Sequence, residues 1–236
     1  AIHLLTRVID ARDAWFDEAY EALLPILEAE TDLVTALTLI RIKREVATDP
    51  LIVAELLDRE AEIQLELGEV EDALKISRDL LARCDALDTV EAGPIAARAS
   101  DRVITLLEQD PDPRALMDFL IETAERERAY DLTRATAHRS RAAGIAENAL
   151  EAYQDAIALH QANLEDCPDD PQPFPHLERL FHKIEDWSAK ADIILRRAIS
   201  DGEAGDEEAR LRGMVEAASV LEESVEDHSR AIDLYE

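Results

Sequence analysis

The chain has 236 residues and a formal net charge of −29, with 47% hydrophobic but only 4% aromatic residues. A polyanion of this kind is repelled by nucleic-acid phosphates and by anionic membrane surfaces, which argues against both as partners. Cys84 and Cys167 are the only cysteines and no apolar run reaches the length of a membrane span, so neither a disulfide framework nor a transmembrane protein is expected.

The first part of the chain predicts consecutive helices divided by turn residues. Pro25 is expected to kink or split its helix, while Asp32 and Pro50 mark the starts of the next two. Gly68 is a natural residue for ending a helix, and Asp72 is the expected cap of the helix that follows. The predicted helices of this part cover residues 1–10, 12–29, 33–47, 51–67 and 73–84.

The second part continues the same alternation. Asp112, Asp131 and Asp186 each precede a stretch with helical apolar spacing, and Asn148 is expected to cap the helix that ends near Asp166. Residues 201–206 are expected to form a flexible acidic loop. The predicted helices cover residues 93–108, 114–128, 132–145, 149–166 and 173–184, then one from 187 onward, one over 207–224 and a last one after Asp227.

The expected caps recur at a regular spacing. They open every second helix at positions 32, 72, 112, 148, 186 and 227, at intervals of 36 to 41 residues. A fixed period near 40 residues with two helices per unit predicts an all-α solenoid of about six helix hairpins, because one hairpin cannot bury its own apolar face. Four sites share a frame of an apolar residue, Glu, and Asp or Asn: Val70-Glu-Asp-Ala-Leu, Ala146-Glu-Asn-Ala-Leu, Ile184-Glu-Asp-Trp-Ser and Val225-Glu-Asp-His-Ser.

The stretch over residues 57–81 carries a large residue at its first position, small residues at Ala61 and Ala73, and a turn glycine at Gly68. In this it resembles a tetratricopeptide repeat (TPR), and Pro168 resembles that family's terminal proline. The chain looks like the divergent repeats of long bacterial TPR proteins, with a period longer than the usual length of about 34 residues. The resemblance implies a right-handed solenoid whose first helices line a concave groove.

One solenoid over residues 1–236 is the expected domain organisation. Helices are predicted to be cut at both ends, so the chain is interpreted as a fragment of a longer repeat protein, with weak end-to-end self-association through uncovered apolar faces. The cysteine usage and the lack of a signal-peptide pattern favour a cytoplasmic location, while a signal on the full-length parent would not be visible in this sequence.

The sequence contains no recognisable catalytic constellation. It has no HExxH, no two His at i, i+4 on one helix face, no phosphate-binding glycine loop and no GxSxG. The acidic stretches at 110–112 and 201–208 lack the ligand spacing of a calcium loop, and Trp15 and Trp187 are interpreted as core aromatics. We therefore expect no enzyme activity, no metal and no cofactor.

One basic segment contrasts with the acidic chain. Residues 126–141 carry a net charge of +3, which leaves −32 for the remainder. Basic side chains there fall at i, i+4 and i+7 on a face separate from the apolar stripe, and the next repeat has the same rhythm. Pairing with nearby Glu and Asp is the alternative interpretation. The predicted partner-binding strip consists of Arg134, His138, Arg141, His176, Arg179 and Lys183.

These observations favour a protein–protein interaction scaffold that binds a peptide, a helix or a partner domain in its concave groove. Two alternatives remain at this point. The chain could be the regulatory arm of a larger enzyme whose chemistry lies elsewhere, or an acidic chaperone for a basic partner, whose binding would collapse with added salt.

The repeat spacing predicts an elongated particle in solution. A compact globule of this length would have a radius of gyration of about 18 Å, and stacked hairpins should exceed it because each contacts only its neighbours. Small-angle X-ray scattering measures this radius directly. A value near that of the compact globule would rule out the solenoid.

Overall fold

The computed structural model describes residues 16–87 and 90–235, and every regular element in them is a helix. This confirms the all-α prediction. The expected helix over 1–10, the start of the helix over 12–29, and Trp15 lie outside the described residues.

The chain divides after Asp110 into two compact units. The helices of the first unit are α1 (Phe16–Ala29), α2 (Leu33–Val46), α3 (Pro50–Glu66), α4 (Val70–Leu87) and α5 (Ala92–Leu107). The helices of the second unit are α6 (Pro113–Glu127), α7 (Leu132–Asn148), α8 (Tyr153–Asp166), α9 (Pro173–Lys183), α10 (Trp187–Glu203), α11 (Glu207–Val220) and α12 (His228–Tyr235). A single π-helical turn (Leu221–Val225) continues α11.

Within each unit, consecutive helices pack side by side. In the first unit each helix packs on its successor, and α3 also contacts α5. In the second unit every helix from α6 to α11 likewise packs on the next. Because the connections are short, neighbouring helices run antiparallel, so the helix hairpin is the building block of both units. The predicted single solenoid over the whole chain stays a prediction.

Small side chains occupy the closest helix contacts. Ala61 and Ala73, which carry the TPR resemblance, are fully buried, as are Ala99, Ala135 and Ala142. Alanine lets helix backbones approach while keeping high helix propensity, so a chain with few aromatic residues can still build a continuous core. In the first unit, larger residues from α1, α2 and α3 fill the remaining space: Phe16, Leu23, Leu37, Ile40 and Ile63.

The turns inside five described hairpins share one backbone device. A single residue in each adopts the left-handed conformation, with φ between 52° and 83°: Thr31, Gly68, Glu151, Glu185 and Glu226. The residue that follows bonds back across the end of the helix, for example Asp186 N to Phe181 O at 3.0 Å. This is the pattern that ends a helix in a Schellman turn.

Aspartate then starts the next helix in several of these turns. The side chains of Asp32, Asp186 and Asp227 accept hydrogen bonds from the backbone N–H groups of Thr35, Ala189 and Arg230. Asp112 and Asp131 cap α6 and α7 in the same way. The predicted caps at these five positions are confirmed, because each oxygen satisfies an N–H that the helix itself leaves unpaired.

Two predicted caps are wrong. α4 begins at Val70, where Ala73 N already bonds to Glu69 O at 3.0 Å, so Asp72 lies inside the first turn. Asn148 is the last residue of α7 and does not open α8. Its Nδ2 donates back along the same helix to the Gly144 carbonyl at 2.8 Å. The shared Glu-Asp frame therefore marks a left-handed turn at 184–188 and 225–229, but not at 70–74 or 146–150.

Two further expectations about breaks in helices need correction. α1 is a single helix that includes Pro25, so this residue does not split it, and the alternative of a kink stays a prediction. The flexible loop expected over 201–206 is shorter, because α10 continues to Glu203 and only Gly205, with φ of 90°, takes the left-handed conformation. Helical hydrogen bonding along α10 outweighs the turn preference of the Asp201-Gly202 dipeptide.

We expect Gly68→Ala to lower the free energy of unfolding by about 1 kcal/mol, because an added Cβ opposes the left-handed conformation. Nothing lies within 4 Å of that Cβ, so the cost comes from the backbone alone. The matched control is Gly144→Ala in α7, where an added Cβ also meets no atom within 4 Å and the backbone is helical. Urea unfolding should show this control at or above wild-type stability, and equal stability of both variants would contradict the turn assignment.

Candidate partner-binding site

A buried carboxylate on α6 holds the first two residues of the predicted strip. Glu127 is 1% exposed. Its oxygens lie 3.2 Å from Nε of Arg134 and 3.3 Å from Nε2 of His138, both on α7. A carboxylate at this depth requires such partners, since burying it unpaired would cost several kcal/mol. Arg134 and His138 therefore join α6 to α7.

A second buried carboxylate, Glu147 on α7, holds Arg179 on α9. Arg179 donates from both terminal nitrogens to the two oxygens of Glu147, with Nη2 at 2.8 Å from Oε2. Its Nη2 also lies 3.2 Å from Nδ1 of His176. A guanidinium only donates, so Nδ1 of His176 accepts and the ring carries its proton on Nε2. The fork fixes the direction of Arg179 while half of its side chain stays exposed.

The remaining strip residues lie on exposed positions. Arg141 is exposed on α7. Lys183 is exposed at the end of α9, and its Nζ lies 4.2 Å from the centre of the Tyr153 ring, which is a cation–π contact. His176, Arg179 and Lys183 thus follow one another along α9 at spacings of three and four residues.

A cleft of about 110 Å³ opens between α7, α8 and α9. Among its lining residues are Ser140, Gly144 and Glu147 from α7, His160 from α8, and His176 and Arg179 from α9. The structure thus brings His176 and Arg179 to this cleft, while Lys183 is not among its lining residues and Arg134 and His138 meet at Glu127 instead. Convergence of all six strip residues on one partner stays a prediction.

His160 is the least expected member of the cleft. It is 4% exposed, its ring stacks on His176 at 4.7 Å, and its Nδ1 has no hydrogen-bond partner. Burial, followed by the neighbouring His176, lowers the pKa of His160 to about 4, while Glu147 acts in the opposite direction. The ring is therefore neutral at pH 7, with one nitrogen that donates and one that accepts.

An ion network behind the cleft joins α7 to α8. Arg139 on α7 is 2% exposed, and it donates to Asp166 at 2.6 Å and to the Asn163 amide oxygen at 3.4 Å. Arg128 binds the other oxygen of Asp166. Burial opposes ionisation of Asp166, but the hydrogen bonds from Arg128 and Arg139 outweigh it and lower its pKa. The network fixes α7, the helix that carries one wall of the cleft.

The sequence analysis did not identify Glu147 or His160 as site residues. A signal for His160 was present, because it falls on the buried face of α8 together with Ala156, Ile157 and Leu164. A histidine in an apolar stripe indicates a buried polar group. The pairing of Glu147 with Arg179 had no such signal, because it joins residues 32 positions apart in an acidic chain.

Two absences hold for residues 16–87 and 90–235. No three His, Cys, Asp or Glu side chains are grouped so that they could bind a metal ion. None of the helices in these ranges has the length and apolar character needed to cross a membrane.

The fold and the site define an all-α protein of repeated helix hairpins. No family model and no curated protein matches the chain. Solved structures that it is similar to include BtubC (BKLC) from P. vanneervenii, with 14% identity, a TM-score of 0.44 and coverage of 93% of this chain and 89% of that one. A TPR protein from Parabacteroides merdae matches with 14% identity, a TM-score of 0.42 and coverage of 98% and 90%.

A further similar structure is YrrB, described as a TPR protein with an unusual peptide-binding site. It matches with 15% identity, a TM-score of 0.38 and coverage of 100% of this chain and 99% of that one. These identities and TM-scores are low, so the assignment of the architecture rests on the helix hairpins of the chain itself.

The low pKa of His160 predicts a loss of stability in mild acid. Between about pH 6.5 and pH 4 the unfolded chain binds a proton at this residue and the folded chain does not, so unfolding becomes more favourable as the pH falls. We expect a contribution on the order of 2 kcal/mol across this window.

Urea unfolding at a series of pH values measures this contribution of His160 to stability. His160→Phe is the comparison, because a phenyl ring preserves the stack on His176 but does not titrate. The difference in stability between the two proteins should change through this window. Parallel pH profiles would contradict the assignment.

Proposed function

We propose that the chain is a protein–protein interaction scaffold, and that the basic row His176, Arg179 and Lys183 on α9 receives a carboxylate of its partner. The observation that carries this proposal is the exposed row at the edge of the cleft. Helices that present side chains at such spacing offer one continuous face to a partner. The partner is a protein or peptide, and the wider docking surface extends to Arg134, His138 and Arg141 on α7.

The pairing of Arg179 with Glu147 suits this role. The fork holds the guanidinium in one orientation before a partner arrives, so little side-chain entropy is lost on binding. The fork uses the two terminal nitrogens, and about half of the Arg179 side chain faces solvent. Lys183, one helical turn further on, adds a second positive charge. A partner with a single carboxylate therefore meets two cations whose positions are fixed by Glu147 and Tyr153.

A second candidate is a basic partner. Several arginines bond to buried carboxylates of the chain itself, such as Arg102 to Asp58 and Arg139 to Asp166. Each such pair is neutral, so the net charge of −29 is carried by the remaining side chains. Long-range attraction then favours a Lys- and Arg-rich protein, and binding would weaken strongly with salt.

Selection of displayed random peptides against the whole chain separates these candidates. We expect enrichment of peptides with an Asp, a Glu or a free C-terminal carboxylate. Their affinity should fall about tenfold, equivalent to about 1.4 kcal/mol, in Lys183→Glu, because an attractive charge becomes a repulsive one. Lys75→Glu is the matched control, since Lys75 is an exposed lysine on α4 in the other unit.

Arg179 is tested only together with Glu147, because removal of the arginine alone would leave a buried carboxylate unpaired. The double variant Arg179→Gln with Glu147→Gln should weaken the same peptides and leave the helical content unchanged. Selection of Lys- and Arg-rich peptides would overturn the carboxylate proposal in favour of the basic partner. Equal loss of binding in Lys75→Glu would show that net charge, and not the α9 row, decides binding.

A further inference from the structure

We infer that the cleft between α7, α8 and α9 is a specificity pocket for a carboxamide group of the docked partner, as in an Asn or Gln side chain. The identity of the ligand as a partner side chain rests on the proposed function. The chemistry of the pocket is argued from its own residues and can be tested without any partner.

The hydrogen-bond donors of the cleft are available in fixed positions. Ser140 accepts a hydrogen bond from Nδ2 of Asn163 at 2.9 Å, which leaves the hydroxyl proton of Ser140 free to donate elsewhere. His176 accepts from Arg179 on Nδ1, so its Nε2–H is the donor. Both residues line the cleft, Ser140 from α7 and His176 from α9. They suit a carbonyl oxygen.

Hydrogen-bond acceptors are present as well. Asn148 also lines the cleft, and its Nδ2 is occupied by the Gly144 carbonyl, so its Oδ1 is the atom left to accept. His160 is neutral and contributes one accepting nitrogen, and its Nδ1 has no partner at present. A half-turn of this ring about Cβ–Cγ preserves its stacking plane and exchanges the edge that carries Nδ1. These groups suit an N–H donor.

Charged and apolar ligand groups fit less well. An anion inside the cleft would lie beside the Glu147 carboxylate, which already has Arg179, and a cation would have to compete with Arg179 for Glu147. Either would lose hydration without gaining an unpaired counter-charge. An apolar group would give Nδ1 of His160 no hydrogen-bond partner and would cover the polar groups of Ser140 and His176 without pairing them. A carboxamide supplies both an acceptor and donors without a charge.

Three small probes of nearly the same shape distinguish these cases: acetamide, acetate and the acetamidinium ion. They are titrated into the whole chain while the imidazole ¹⁵N signals of His160 are followed by NMR at pH 7. We expect acetamide to shift these signals in a saturable manner, with a dissociation constant of about 1 mM or weaker for so small a ligand. Acetate and acetamidinium should produce no saturable shift in Lys183→Glu, in which acetate binding at the α9 row is weakened while the lining of the cleft is unchanged.

Gly144→Leu tests the location. A Cβ at Gly144 meets no atom within 4 Å, so the new side chain enters open space at the cleft wall, and leucine favours the helix. We expect this variant to lose the acetamide response while its melting temperature is unchanged or higher. Gly93→Leu on α5, also with open space around its Cβ, is the control and should keep the response.

A saturable response to acetate or acetamidinium equal to that of acetamide would overturn the inference, and so would no acetamide response or a response retained in Gly144→Leu. His176 and Arg179 belong both to the cleft and to the α9 row, whereas Lys183 does not line the cleft, so Lys183→Glu separates the two sites. If the unmodified protein gives no acetamide response but still selects carboxylate peptides, only the pocket is contradicted. The reverse result would contradict only the docking row.

Discussion

The architecture of both units depends on buried carboxylates that are bound by arginines from neighbouring helices. Asp58 on α3 pairs with Arg102 on α5, Glu127 on α6 with Arg134 on α7, and Glu147 on α7 with Arg179 on α9. Each carboxylate has less than a tenth of its surface exposed, so its burial without the arginine would carry a large desolvation penalty. Alanine-rich contacts would permit adjacent helices to slide, and these directional pairs select one arrangement.

The same pairs determine how charge is distributed between the interior and the surface. Some of the arginines that offset part of the negative charge of the chain lie inside the contacts between helices, as Arg139 does beside Asp166. Acidic residues outnumber basic ones 54 to 25 in the sequence, so a basic row such as that of α9 is locally distinct. Such contrast favours a partner that is recognised by position as well as by charge.

The cleft adds a different kind of selectivity. Its walls contain the ion pair of Glu147 with Arg179 and uncharged polar groups. Neighbouring residues already bond to the Ser140 hydroxyl and to Nδ1 of His176, which determines what each can still offer a ligand. A buried polar group without a partner, such as Nδ1 of His160, is rare in folded proteins because it costs free energy. His160 is among the residues that line the cleft, next to the exposed α9 row that is the proposed docking surface.

The sequence by itself determined the helical class, the alternation of helices with turns and five of the caps, because apolar spacing and capping act over only a few residues. The predicted caps at Asp72 and Asn148 were wrong. The Glu69 carbonyl accepts a helical hydrogen bond from Ala73, so one helix begins before Asp72. The Ile145 carbonyl accepts one from Ala149, so the other helix continues to Asn148. Only the tertiary structure decided which charges pair. In a chain with 54 acidic residues, spacing along one helix cannot select Glu147 as the partner of Arg179, which is a contact between separate helices. The stacking of His160 on His176 and the cleft beside it follow from that packing, so they too were decided by the fold.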